Sequence, residues 1–294
     1  MKNNIQGTGV ALVTPFDAKK EVDFEALARL VDHVTEGGAD YLVVLGTTAE
    51  TPTLTREERR AVVGFIREKN GGRLPLILGV GGNNTAEVVR CMEDYDFDGI
   101  TAILSVTPYY NKPSQEGLYQ HYRVIARESP KPVVLYNVPG RTGVNMTAQT
   151  TLRLAHDFEK IAAIKEASGS LLQVGYILRD KPENFMVISG DDNMALPMVA
   201  LGGDGVISVA ANAFPEVFCR MVKLCLAGDF AGASLLQMSL LEPVDALFAE
   251  GNPVGVKCAL ALQGVMRDEL RLPLVSASAA LRERIAGLMS KYNL

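Results

Sequence analysis

Eight short apolar, β-branched runs constrain this chain more than any other feature. They fall at residues 10–13, 41–45, 76–80, 101–106, 133–137, 161–166, 185–189 and 206–209, and each is followed by a stretch of helical period. The runs are almost continuously hydrophobic rather than alternating, as strands covered on both faces must be. Eight such units in series predict an α/β fold of the (β/α)8 or TIM-barrel type. The competing architecture is a doubly wound sheet, which usually has fewer strands and often carries G-x-G-x-x-G after the first. Here the first run leads into Thr14-Pro15-Phe16-Asp17, which lacks that motif.

The intervening segments carry helix punctuation. Phe24, Leu27, Ala28, Val31 and Val34 make one apolar stripe. Thr55 and Glu58 form a T-x-x-E capping box, Asn84 and Thr147 are cap residues, and Gly37-Gly38 and Gly71-Gly72 suit helix ends that need a left-handed residue. Beyond about Asp229 the strand signals stop, and 231–250, 254–262 and 278–291 all read as helices. The expected organisation is a catalytic barrel over 1–228 with a small C-terminal helical appendage over 229–294.

Composition narrows the function. Of 294 residues 48% are hydrophobic, enough for a large core, and the net charge of −5 with no strongly basic stretch argues against nucleic acid or an anionic membrane as partner. No apolar run approaches the ~20 residues of a membrane helix. The opening MKNNIQGTGVALVTPF has no signal-peptide pattern. Cys91, Cys219, Cys225 and Cys258 form no C-x-x-C pair and suit a reducing cytoplasm. His33, His121 and His156 are isolated in predicted helices, so a histidine-based metal centre is not expected.

Barrel active sites sit at the C-terminal ends of the strands, and the unusual residues cluster there. The second run leads into Gly46-Thr47-Thr48-Ala49-Glu50, the fourth into Thr107-Pro108-Tyr109-Tyr110, and the fifth ends Tyr136-Asn137-Val138-Pro139-Gly140-Arg141. The sixth carries Lys165 and the seventh leads into Gly190-Asp191-Asp192. An unperturbed lysine has a pKa of ~10.4; burial lowers it and yields a nucleophilic amine for Schiff-base chemistry. Such an amine needs a nearby proton shuttle, which a tyrosine supplies. A keto acid needs its carboxylate held by threonine hydroxyls or backbone amides, and a second anionic substrate suits a planar guanidinium. Each residue also has a structural reading: a threonine turn capping a helix, a loop-packing tyrosine, a surface arginine, aspartates at a helix start. No glycine-rich loop follows the eighth run, where barrels often grip phosphate.

Five segments together resemble the dihydrodipicolinate synthase family of pyruvate-dependent class I lyases, nearly end to end. They are G-T-T-x-E at 46–50, T-P-Y-Y-N-K-P-S-Q-E-G-L-Y-Q-H at 107–121, Y-N-V-P-G-R-T-G at 136–143, I-K-E-A-S-G at 164–169 and G-V-I-S-V at 205–209. The resemblance implies that Lys165 forms a Schiff base with pyruvate. It implies that Tyr136, Thr47 and Tyr110 relay protons, with Tyr110 coming from a neighbouring subunit, and that Thr48 holds the pyruvate carboxylate. Arg141 is implied to anchor L-aspartate 4-semialdehyde, and Gly190 and Ile207 to line the pyruvate pocket. It further implies a homotetramer, built as a dimer of dimers, that feeds lysine and diaminopimelate synthesis in the cytoplasm without metal or cofactor. Ala49 stands where the family commonly has glycine. Asn83, Glu87 and Tyr109 match the site at which some members bind L-lysine as an inhibitor; Arg56 and Arg59 stand where those members often carry histidines, and Glu87 offers a countercharge to the effector's ammonium. The alternatives are a sibling aldolase, acting on N-acetylneuraminate or a 2-keto-3-deoxy sugar acid, and a barrel kept for binding alone.

Overall fold

The computed structural model describes residues 5–294; positions 1–4, part of the stretch read above for a signal peptide, lie outside it. Eight parallel strands close a barrel in chain order: β1 Gly7–Ala11, β2 Tyr41–Val44, β3 Leu76–Gly79, β4 Ile100–Val106, β5 Val133–Asn137, β6 Ile161–Glu166, β7 Met186–Ser189 and β8 Gly205–Ser208, with β8 paired back onto β1. The (β/α)8 expectation holds, and seven of the eight strands lie within a residue or so of the apolar runs that announced them.

β1 is the exception, beginning three residues early at Gly7-Thr8-Gly9. Glycines read as breakers, yet here packing demands them. A Cβ on Gly9 would stand 2.0 Å from the Tyr41 ring, and one on Gly205, across the closing seam, 2.0 Å from the Gly7 carbonyl oxygen. The fully buried Tyr41 ring fills the space they leave.

Strand alternation sorts the core into two layers. Inside the barrel lie Ala11, Tyr41, Val43, Ile77, Ala102, Leu104, Val134, Tyr136, Ala163, Met186, Ile188 and Ile207. Outward residues such as Leu42, Leu78, Ile103, Leu135, Ile164 and Val187 join the helices in a larger shell. The helix signals are realised: Thr55 and Glu58 form both halves of the capping box, Asn84 and Thr147 cap their helices, and Gly38 and Gly71 are left-handed. Helices Phe230–Phe248, Val254–Leu262 and Ala279–Tyr292 follow the barrel. Among the described residues no helix is long and apolar enough to cross a membrane.

Candidate active site

Register brings the central pair together. β5 and β6 align Tyr136 with Lys165, so both side chains point into the barrel at its C-terminal mouth. Lys165 is 5% exposed, and its Nζ lies 4.2 Å from the centroid of the Tyr136 ring. Gly190, at the end of β7, makes room: a Cβ there would stand 2.8 Å from Ala167 Cβ and 3.0 Å from Lys165 Cε.

Above the amine opens a cavity of about 280 Å³ lined by Thr47, Thr48, Tyr136, Arg141, Lys165 and Gly190, with Asn252 and Phe248 on the far side. A second cavity of about 510 Å³ continues it outward, sharing Gly46, Thr47, Tyr136, Val138, Arg141 and Asn252 and adding Thr51, Pro52, Arg59 and Tyr109. The arrangement offers a buried amine, a phenol, two hydroxyls and a guanidinium around a space of small-molecule size.

The threonines ride on a short helical turn, Thr47–Ala49, that leaves β2 through Gly46. Thr48 is buried, and its Oγ1 accepts from Asn252 Nδ2 at 3.0 Å. The left-handed residue of this turn is Glu50, at φ 53°, not Ala49. The alanine therefore adds no backbone strain, and its carbonyl accepts from Thr14 Oγ1 at 2.8 Å. Arg141 projects from the turn Pro139–Thr142 directly after β5.

Not every expected residue joins this cluster. Ile207 packs in the inner layer, and it is Val209, two residues further, that reaches the cavity. Tyr110 is 90% exposed, has φ 72° and lines neither cavity. Of the five residues considered for an effector, Arg59 and Tyr109 line the larger cavity. Asn83 Nδ2 donates to the Tyr109 carbonyl at 3.2 Å, while Arg56 pairs with Asp94 and Glu87 with Arg90.

Other residues at the mouth were given no chemical role by the sequence: Asn252, Val244, Phe248 and Lys257 lie outside its motifs, and Glu50 and Asp192 lie within them. Asn252 follows the helix Phe230–Phe248 in a Gly-Asn-Pro loop, and Val244 and Phe248 of that helix also line the smaller cavity. Glu50 is buried against Lys257, 2.5 Å away, and burial pulls the Lys257 ammonium down to about 8 although Glu50 opposes the shift. Asp192 is 2% exposed and accepts from the Val209 and Ala210 amides at 3.2 and 2.9 Å, tying the end of β7 to the end of β8; burial pushes its carboxyl up to about 6. Among the described residues no group of three or more His, Cys, Asp or Glu is placed to hold a metal ion.

A model described as the dihydrodipicolinate synthetase family matches residues 4–291. The 4-hydroxy-tetrahydrodipicolinate synthase of Parabacteroides distasonis is 52% identical over 291 residues, covering 99% of this chain and 98% of that protein. The dihydrodipicolinate synthase of Aquifex aeolicus, a solved structure, superposes with a TM-score of 0.95 at 41% identity over 99% of each chain. The chloride-inhibited dihydrodipicolinate synthase of Acinetobacter baumannii, solved complexed with pyruvate, superposes with a TM-score of 0.95 at 38% identity, again over 99% of each chain. With the family's model matched over nearly the whole chain, and relatives this similar along their full length, the chain belongs to the dihydrodipicolinate synthetase family.

Proposed function

We propose that this chain condenses pyruvate with L-aspartate 4-semialdehyde, through a Schiff base on Lys165, to give 4-hydroxy-tetrahydrodipicolinate for diaminopimelate and lysine synthesis. One observation carries the reading: a lysine 5% exposed, stacked on a tyrosine ring, opens into a cavity of small-molecule size that a guanidinium also lines. The names of the relatives support the synthase over the sibling aldolases.

The amine adds to C2 of pyruvate, and loss of water from the carbinolamine leaves the imine. Tyr136 and Thr47 are assigned the protons of that dehydration. Thr48 holds the pyruvate carboxylate; its Oγ1 accepts from Asn252, which leaves its own O–H free to donate to substrate. Gly190 leaves room beside the amine, and Ile207 supports the pocket from the inner layer of the barrel. Loss of a C3 proton gives the enamine, whose C3 attacks the aldehyde carbon while the aldehyde oxygen takes up a proton. The amine of the semialdehyde then attacks C2, closing the ring and releasing Lys165, with one water lost overall. Arg141 anchors the semialdehyde carboxylate with its planar fork. The chemistry calls on no metal or cofactor.

Tyr110, so exposed in its own subunit, is assigned to the relay of a neighbouring one in a homotetramer. The four free cysteines support a reducing cytoplasm as the site of action. L-lysine is assigned to the part of the larger cavity lined by Arg59 and Tyr109, with Asn83, Arg56 and Glu87 as its further expected contacts; an initial rate unchanged by millimolar L-lysine would remove that assignment. For the reaction itself, the purified protein should consume the two substrates one for one, and Lys165→Ala should abolish turnover. Consumption of pyruvate that ignores the semialdehyde would contradict the synthase reading.

A further inference from the structure

Lys165 and Glu166 are neighbours on β6 that point in opposite directions. Lys165 faces the cavity, whereas Glu166 is 1% exposed on the outer face of the strand. Among the described residues no cation pairs with this carboxylate, and neutral donors satisfy it. Asn137 Nδ2 lies 3.2 and 3.0 Å from its two oxygens, the Ser168 amide donates at 2.7 Å and Gln173 Nε2 at 3.1 Å. A buried carboxylate is costly to keep unless such donors surround it, so its place calls for a reason.

Asn137 supplies one. It is the last residue of β5, where the loop bearing Arg141 departs, and its Oδ1 accepts from the Met146 amide at 2.9 Å, where that loop returns. Its Nδ2 also reaches Asn145 Oδ1 at 2.7 Å. One side-chain amide thus closes the base of the loop. An amide can present either end, but an ionised carboxylate only accepts. Glu166 therefore acts with the Met146 amide to hold Nδ2 towards itself and Oδ1 towards Met146. Gln173 reinforces the closure, bonding both Glu166 and Asn145.

We propose that Glu166 is a positioning residue for the semialdehyde subsite: it fixes the orientation of the Asn137 amide, which closes the loop carrying Arg141. The proposal rests on the assignment of Arg141 to the semialdehyde. Glu166→Gln should raise the KM for L-aspartate 4-semialdehyde about tenfold, while the KM for pyruvate and the borohydride-trapped adduct on Lys165 stay within about twofold. The double variant Asn137→Asp/Glu166→Gln swaps donor and acceptor and still accepts from Met146, but loses the bond to Asn145, so it should recover part of the loss. A purely structural lesion would instead raise both KM values together, lower kcat alone or resist this rescue, and any of those results overturns the proposal. Arg141→Ala is measured alongside. If it leaves the semialdehyde KM unchanged, the assignment of Arg141 falls and the proposal with it. If it raises that KM while Glu166→Gln does not, the positioning role alone falls. Should Glu166→Gln not accumulate as folded protein, Gln173→Met carries the test: a rise of about threefold in the semialdehyde KM supports the proposal, and no change overturns it.

Discussion

Two loops at the barrel mouth carry the polar groups of the site, and they are held by different means. The segment 46–53, bearing Thr47 and Thr48, consists of two short helical turns hinged at the left-handed Glu50. Its anchors come from far along the chain. Lys257 pairs with Glu50 in the core, the Arg271 amide donates to the same carboxylate at 3.0 Å, and the Arg271 guanidinium clasps Glu58 while donating to the Thr53 carbonyl. The segment 138–146, bearing Arg141, is held by neutral amides around Glu166, all between residues no more than 29 positions apart. The first loop thus depends on buried charge and on the C-terminal helices. The second depends on the register of β5 against β6. The pocket that joins them inherits both dependences.

The comparison breaks most visibly at Lys257. Lys257→Met strands the Glu50 carboxylate in the core and should cost roughly 3–5 kcal/mol, read from denaturant midpoints. A cost near that of a surface ion pair would mean that the anchor of the first loop is not the charge. A third tie sharpens the contrast, because Asp192 joins β7 to β8 by a buried carboxylate that pairs with no cation among the described residues. Its folded pKa, raised from 3.8 to about 6, means that the folded state holds the proton more tightly than the unfolded chain. Its contribution is therefore full below pH 3.8 and lost as pH rises through about 6, a swing of roughly 3 kcal/mol. Asp192→Asn should remove that swing, so that the variant gains on the parent between pH 4 and 6; parallel stability profiles would contradict the assignment. The smallest effect belongs to the strand-borne part of the site, which neither loop controls. Gly190→Ala pushes a Cβ towards Lys165 Cε and Ala167 Cβ. It should slow trapping of pyruvate about 10- to 100-fold and cost about 1–3 kcal/mol of stability, because the Ala167 Cβ cannot swing aside. An unaltered trapping rate would show that Lys165 has room to move.

The barrel was legible because burial on both faces writes strands as apolar runs, and the motif residues were legible because barrels place chemistry at strand ends. β1 was misplaced by three residues because glycine signals a break in sequence, while here close packing against Tyr41 and across the β1–β8 seam requires it. The supports of the site stayed hidden for a different reason. Asn252 meets Thr48 across 204 residues and Lys257 meets Glu50 across 207, and no periodic pattern marks a contact between single polar residues so far apart. Glu166 lay inside a recognised motif, but its role depends on Asn137 being its neighbour across β5 and β6, which only the register reveals.

The central claim is that Lys165 is the amine that forms the Schiff base, and trapping tests it most directly. Pyruvate and borohydride would be added with and without L-aspartate 4-semialdehyde, followed by intact and peptide mass spectrometry. The account predicts a single pyruvate-derived adduct on Lys165 that diminishes when the semialdehyde turns the intermediate over. An unmodified Lys165, or an adduct on another lysine, would contradict it.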